Sequence, residues 1–264
     1  MDAGSLGGIL LALAGILAGL LLEGGHLRQV LQPTAAMIVF GGTLGAVMLQ
    51  FPFKTVFAAA LRLVRVFFHR DGSANALLRQ IVVFANKARR KGIVSLDHDL
   101  PHVTDPFLRQ ALMLAVDGTE PSELRRIMEV QVEALSENEA RIPAVFESAG
   151  GFSPTIGIIG AVIGLIQVMQ HLDHMDEVGR GIAVAFVATI YGVGAANLFL
   201  LPAAGKLRQR AREDQRLREM ALEGVISIVE GMNPRMIEIK LAGFLGSAPP
   251  RSGTGPEAVE ERRA

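Results

Sequence analysis

Two short stretches hold the residue types that bind metals or move protons. "DHDLPH" places Asp97, His98, Asp99 and His102 close together, and "HLDHMDE" brings His171 and His174 among carboxylates. A zinc site needs such ligands to converge with near-tetrahedral geometry and a supporting second layer of hydrogen bonds. In the first stretch Pro101 interrupts and no helix or strand is evident, so a polar loop is expected. In the second, the i, i+3 spacing can put both histidines on one helix face. Two ligands fall short of a site, and pH-sensitive residues at a membrane edge are expected instead. No P-loop, G-x-S-x-G or H-E-x-x-H is present. Cysteine is absent, which removes disulfides, thiolate metal sites and thiol redox chemistry. The chain is therefore expected to be no enzyme and to carry neither metal nor organic cofactor. A net charge of zero argues against a nucleic-acid partner.

The more informative chemistry lies where charge is missing. Half of the 264 residues are hydrophobic and the mean hydropathy is +0.37, which points to a membrane. Four stretches lack Asp, Glu, Lys and Arg over bilayer-crossing length: Leu6–Leu22, Ala35–Phe53, Phe152–Leu172 and Gly181–Leu201. At 1.5 Å per residue each covers roughly 25–32 Å, enough for the hydrocarbon core. Asp2 precedes the first run and no A-x-A site follows it, so a span is expected there and not a removable signal. A pump or charged-substrate carrier keeps an ionisable group at depth. Here none of the four runs has Asp, Glu, Lys or Arg, and Thr34, Thr43, Ser153, Thr155, Gln167, Thr189, Tyr191 and Asn197 offer polar atoms. If ions pass, the titratable group must come from a partner chain.

The elements that would position these groups are helical. The fold class expected is all-α, with four transmembrane helices, a large helical cytoplasmic loop and a long cytoplasmic helix after the fourth span. The organisation reads as spans one and two over 1–53, a cytoplasmic helical domain over 54–151, spans three and four over 152–202, C-terminal cytoplasmic helices over 203–245, and a disordered Pro/Gly/charge-rich tail over 246–264. "FKTVFAAALRLVRVFF" is expected to continue span two as an amphipathic helix. "SANALLRQIVVFANKARRKG" shows helical apolar spacing and stops at Gly92, while Pro121 and Ser122 suit a helix start. Lys54, Arg62, Arg65 and Arg70 follow span two, and Lys206, Arg208, Arg210 and Arg212 follow span four; the short loops hold only Arg28 and Arg180. The positive-inside rule then predicts a multi-pass protein with both termini and the large loop in the cytoplasm.

Small residues pattern these spans. Gly160–Gly164, Gly4–Gly8, Gly15–Gly19 and Gly41–Gly45 each sit four apart, the spacing that lets helix backbones approach closely in lipid. Contact within the chain and contact with other copies both fit. Pro154 stands at the cytoplasmic entry of span three and Pro202 at the cytoplasmic exit of span four. Each alone reads as a helix boundary, and the pair at matched depth suits a hinge.

"SPTIGIIGAVIGLIQVMQHL", followed by "GRGIAVAFVATIYGVGAANLFLLPAAGKL", resembles the paired third and fourth membrane helices of the MotA/PomA family, the channel subunit of the flagellar motor stator. "EGVISIVEGMNPRMIEIKL" and "ARRKGIVSLD" resemble two cytoplasmic segments of that family, and the likeness extends in order and spacing over residues 1–245. The resemblance implies a bacterial inner-membrane homo-oligomer, a pentamer, around a single-span, peptidoglycan-anchored MotB-type partner that supplies the ion-binding aspartate. It implies that ion flow drives torque on the rotor's switch-complex protein. By the same resemblance Thr189, Thr155 and Ala161 belong to the ion pathway and Pro154 and Pro202 couple ion passage to cytoplasmic movement. Arg89, Arg90 and Asp97 meet the rotor. Sodium-driven members tend to carry threonine where Ala161 stands, which favours protons, with sodium as the alternative. A solvated helix end is the plain reading of "NKARRKG". The rival reading is an ExbB/TolQ-type energiser of outer-membrane uptake or envelope integrity, whose usual three spans fit this chain less well. A membrane scaffold without ion flux is a third class.

Overall fold

A computed structural model describes residues 3–68, 74–173 and 175–245; the tail read as disordered, 246–264, and His174 lie outside the described residues. Among the described residues the regular structure is helical throughout, without a strand. The helices are α1 (Ala3–Leu22), α2 (Leu27–Val30), α3 (Pro33–Gln50), α4 (Phe53–Phe68), α5 (Ala74–Lys91), α6 (Pro106–Val116), α7 (Pro121–Gln170), α8 (Met175–Val229) and α9 (Pro234–Ala242). A 3-10 helix, Ile93–His102, joins α5 to α6. Three helices, α3, α7 and α8, are long and apolar enough to cross a membrane, and Gly7–Leu22 within α1 is a shorter apolar helix.

Several boundaries differ from those read in sequence. The chain does not continue from span two into an amphipathic extension: Phe51 is extended (φ −123°, ψ 144°) and α4 starts afresh at Phe53. Pro52 causes this break, because its ring disfavours helical geometry in the residue before it. "DHDLPH" is not a loop but part of the 3-10 helix, fixed from inside by buried Leu96 and from outside by Lys87, whose Nζ lies 2.6 Å from Asp99. The limits drawn near 151 and 202 fall inside continuous helices, α7 and α8.

Contacts divide the chain into two units, residues 1–70 with 137–211, and 71–136 with 212–264. In the second unit, Ile81, Leu96, Leu108, Leu112, Leu124, Met128, Met220, Ile226, Ile237 and Leu241 are sealed from solvent and form one core. Helix starts there follow local chemistry. Asp105 caps α6 by accepting from the Leu108 N–H at 2.8 Å, and Asn233 caps α9 by accepting from Arg235 at 3.1 Å, each ahead of a proline at the first helical position. Gly92 ends α5 with φ +80°, as its place in the sequence predicts. Glu223 ties three helices. It takes Arg125 at 2.9 Å and Lys240, and Lys240 also donates to Ser227 at 3.2 Å. Burial alone would push the Glu223 carboxyl up. The hydrogen bonds from Lys240 and Arg125, with their charges, outweigh it and hold the pKa below the ordinary value.

Candidate ion-pathway hairpin

In the first unit α7 and α8 run antiparallel against each other over their apolar lengths, and glycine makes the approach possible. A Cβ added at Gly192 would lie 2.6 Å from the Ser153 carbonyl oxygen and 3.0 Å from the Gly157 Cα. One added at Gly164 would lie 2.8 Å from both the Ala185 nitrogen and the Gly181 oxygen, and one at Gly160 would meet the Ala188 Cβ at 2.7 Å. The two backbones are in contact through Gly157, Gly160 and Gly164 on one side and Gly181, Ala185, Ala188 and Gly192 on the other. This is the close approach that small residues allow in lipid. Helix α3 covers the hairpin: Ile156 occupies the space over Gly42, and Ala35 and Val39 pack with Val184, Val187 and Ala188.

The two threonine hydroxyls of this hairpin share one habit. Thr155 Oγ1 donates to the Phe152 carbonyl at 2.7 Å, and Thr189 Oγ1 donates to the Ala185 carbonyl at 3.2 Å. With each proton engaged inside its own helix, the oxygen presents lone pairs outward as an acceptor or a cation ligand. Thr155 is exposed, and Thr189 and Ala161 are half-buried. Ser153 and Thr43 differ: both are buried and their hydroxyl oxygens have no partner among the described residues. Both line a cavity of about 670 Å³ walled otherwise by apolar side chains such as Phe40, Leu44 and Ile190.

Pro154 lies within α7 without breaking it. It has no N–H to give the Gly150 carbonyl one turn earlier. Gly150 is pressed against α8, where an added Cβ would come 2.6 Å from Leu201 Cδ2. Leu201 precedes Pro202, so the two proline turns meet through one glycine–leucine contact. The backbone accommodates Pro202 with a π turn, Ala196–Leu200, directly before it. Such turns widen the helix locally and relieve the missing hydrogen bond. A second π turn, Met37–Gly41, interrupts α3. Neither was legible in sequence. Pro202 is exposed and borders a cavity of about 350 Å³ with Phe146, Leu200 and Lys206. Close by, Arg208 pairs with Glu147.

Sequence reasoning also passed over the strap that the only tyrosine makes. Tyr191 donates to the Val30 carbonyl at 2.6 Å, accepts from the Gln32 N–H at 3.3 Å, and stacks on Phe40 with ring centroids 5.9 Å apart. It thereby fastens the connection between α1 and α3 to α8. A tyrosine alone within an apolar run was the available signal, since a buried phenol needs a partner.

In the second unit Arg89, Arg90 and Asp97 are exposed, and none has a side-chain partner among the described residues. Asp99 carries the ion pair instead, with Lys87. No group of three or more His, Asp or Glu able to hold a metal occurs among the described residues.

Comparison with known proteins agrees with this geometry. Residues 6–92 match the profile "Motility protein A N-terminal", and residues 99–220 match the "MotA/TolQ/ExbB proton channel family". The chain is 37% identical to motility protein A of Bacillus subtilis, over 93% of this chain and 91% of that one. Its fold superposes on the structure of C. jejuni MotAB with a TM-score of 0.89 at 32% identity, covering 97% of this chain and 100% of that one. It superposes on the flagellar MotAB stator complex from Bacillus subtilis with a TM-score of 0.83 at 37% identity, covering 91% and 95%. An apolar glycine-packed hairpin, the flanking helices and the full-length likeness lead to one assignment: the chain belongs to the motility protein A family, within the MotA/TolQ/ExbB proton channel family.

Proposed function

We propose that this chain is a stator subunit of the flagellar motor. With a MotB-type, single-span, peptidoglycan-anchored partner it forms an ion channel in the bacterial inner membrane and converts ion-motive force into torque on the rotor's switch-complex protein. The α7–α8 hairpin is the observation that carries this reading. Its apolar lengths are packed backbone to backbone, carry no Asp, Glu, Lys or Arg and offer only neutral hydroxyl and amide groups, so the group that binds the ion must enter from another chain. The relatives solved as MotAB support that division of labour. The match of residues 6–92 to the motility profile favours torque over ExbB/TolQ-type energising of the outer membrane.

On this reading the chain crosses the membrane four times, with both termini and residues 54–151 in the cytoplasm, and five copies surround the partner. The basic residues that follow the second and fourth apolar runs support this orientation. Ala161 gives no oxygen where sodium-driven relatives tend to carry threonine. A dehydrated sodium ion wants several oxygen ligands, whereas a proton needs a carboxylate and a path of water, so the driving ion is the proton. Thr155 and Thr189 accept hydrogen bonds along that path. The Gly150–Leu201 contact lets movement at Pro154 reach Pro202, and Arg89, Arg90 and Asp97 meet the rotor.

The test is rotation of tethered cells lacking this gene and any second stator set. Flagellated, paralysed cells should turn again when this gene and its partner's gene are restored. A protonophore should then stop them, and removal of sodium should not. Undiminished rotation after the deletions, with loss of energised uptake, would assign the chain to the ExbB/TolQ class.

A further inference from the structure

Arg89 stands beside a notch that its charge does not explain. Three segments of the second unit form the notch: the end of α5 with Ile93, the turn before α7, and the turn joining α8 to α9. It holds about 420 Å³, within the range of pockets that take ligands or anchor side chains. The floor is apolar, made by Ala85, Ala115 and Ile228, which are buried, and by half-buried Ala88, Val229 and Met232. Gly118 and Gly231, with φ of +81° and +72°, turn the backbone sharply at two corners. The rim carries one cation and one anion, Arg89 and Glu120. Both side chains are exposed, and neither has a partner among the described residues.

An exposed ion pair contributes about 0–1 kcal/mol and is screened by salt, so charges such as Arg89 steer a partner better than they hold it. A contact that transmits force needs buried apolar area, and interfaces place that area in a pocket ringed by polar groups. Resting on the stator reading above, we propose that this notch is a socket on the rotor-facing surface. It takes an apolar side chain of the rotor protein, flanked by a carboxylate that meets Arg89 and a cation that meets Glu120. The charges fix register and direction, and the socket supplies grip.

Two variants change the socket and leave the rim charges alone: Ala88→Phe fills it, and Ile93→Asn makes its wall polar without adding a charge. The stator is expressed with its partner. Membrane abundance, ion leak through the complex with an unplugged partner, and rotation of tethered cells under high load are measured together. Abundance and leak should match the unmodified protein, while rotation under load falls at least as far as in Arg89→Glu. Because the chain has no cysteine, Met232→Cys accepts a single maleimide photo-crosslinker. Illumination should give an adduct with the rotor protein, and the same probe at exposed Val83→Cys should give none. Normal rotation of both socket variants at normal abundance would overturn the proposal, as would rotor adducts from Val83 and none from Met232. If the variants fail to accumulate, the adduct pattern decides. Absence of ion leak from an assembled, unmodified complex would instead strike the stator reading itself.

Discussion

Glycines four residues apart behave in opposite ways in two helices of this protein. On α7, Gly160 and Gly164 are pressed against α8, with neighbouring atoms closer than 3 Å to where a Cβ would stand. On α1, Gly8, Gly15 and Gly19 have nothing within 4 Å, and no described residue of that helix is buried. The spacing is the same and the surroundings are not. A small-residue motif permits close approach; whether a partner sits there, and whether it belongs to the same chain, depends on what folds back onto it.

The largest effect that could break this contrast comes from bulk in the seam. Gly192→Leu should cost about 3 kcal/mol or more through forced separation of α7 and α8. Gly15→Leu should change the isolated chain by no more than about 0.5 kcal/mol. Thermal unfolding of detergent-solubilised protein, read alongside membrane abundance, separates the two, and equal losses would defeat the distinction.

Next in size is an effect on movement. Pro154→Ala or Pro202→Ala restores an N–H where the helices now lack one, which should stiffen the turns that meet through Gly150 and Leu201. Assembly should survive while tethered cells stop or turn weakly. Normal swimming in both variants would leave the proline contact a packing feature only.

The second unit sharpens the comparison, because it is held by an ion cluster as well as apolar packing. Glu223 has a folded pKa below its ordinary value of 4.5, so its contribution is full above that value and is lost as pH falls through the folded pKa. Unfolding followed from neutral pH downward should show this acid limb, and Glu223→Gln should flatten it. The loss near neutrality should be about 1–2 kcal/mol, discounted because Arg125 and Lys240 are partly solvated. An unchanged acid limb would show that other carboxylates dominate.

The smallest predicted change is at Tyr191. Tyr191→Phe keeps the ring on Phe40 but strands the Val30 carbonyl and the Gln32 N–H, at a cost of about 1 kcal/mol. Amide exchange of Gln32 should speed up with little change along α8. Uniform acceleration along α8 would mean that the tyrosine supports the whole helix.

Much of this architecture was legible in residue order because the signals are local. Chargeless runs marked the apolar helices, Gly92 stopped α5, and Pro121 opened α7. Local signals also misled. Pro154 reads as a boundary, yet α7 passes through it, because packing against Gly192 and Leu201 holds a turn that an isolated helix would give up. "DHDLPH" reads as a loop, yet buried Leu96 and the Lys87–Asp99 pair fix it as a 3-10 helix. Of the candidate site, residue types gave the threonines and the absence of charge. They gave no hint of the π turns or of the unpartnered hydroxyls of Ser153 and Thr43.

By itself, the sequence determined what this chain cannot do and where it can lie. It has no cysteine for a thiolate site and places no carboxylate within its apolar runs, and hydropathy and glycine spacing follow from residue order along the chain. Tertiary structure alone decided which glycines touch, how Pro154 reaches Pro202, and which tyrosine contact fastens the first helices. Those are outcomes of residues far apart in sequence competing for the same few ångströms, and no local pattern contains that competition.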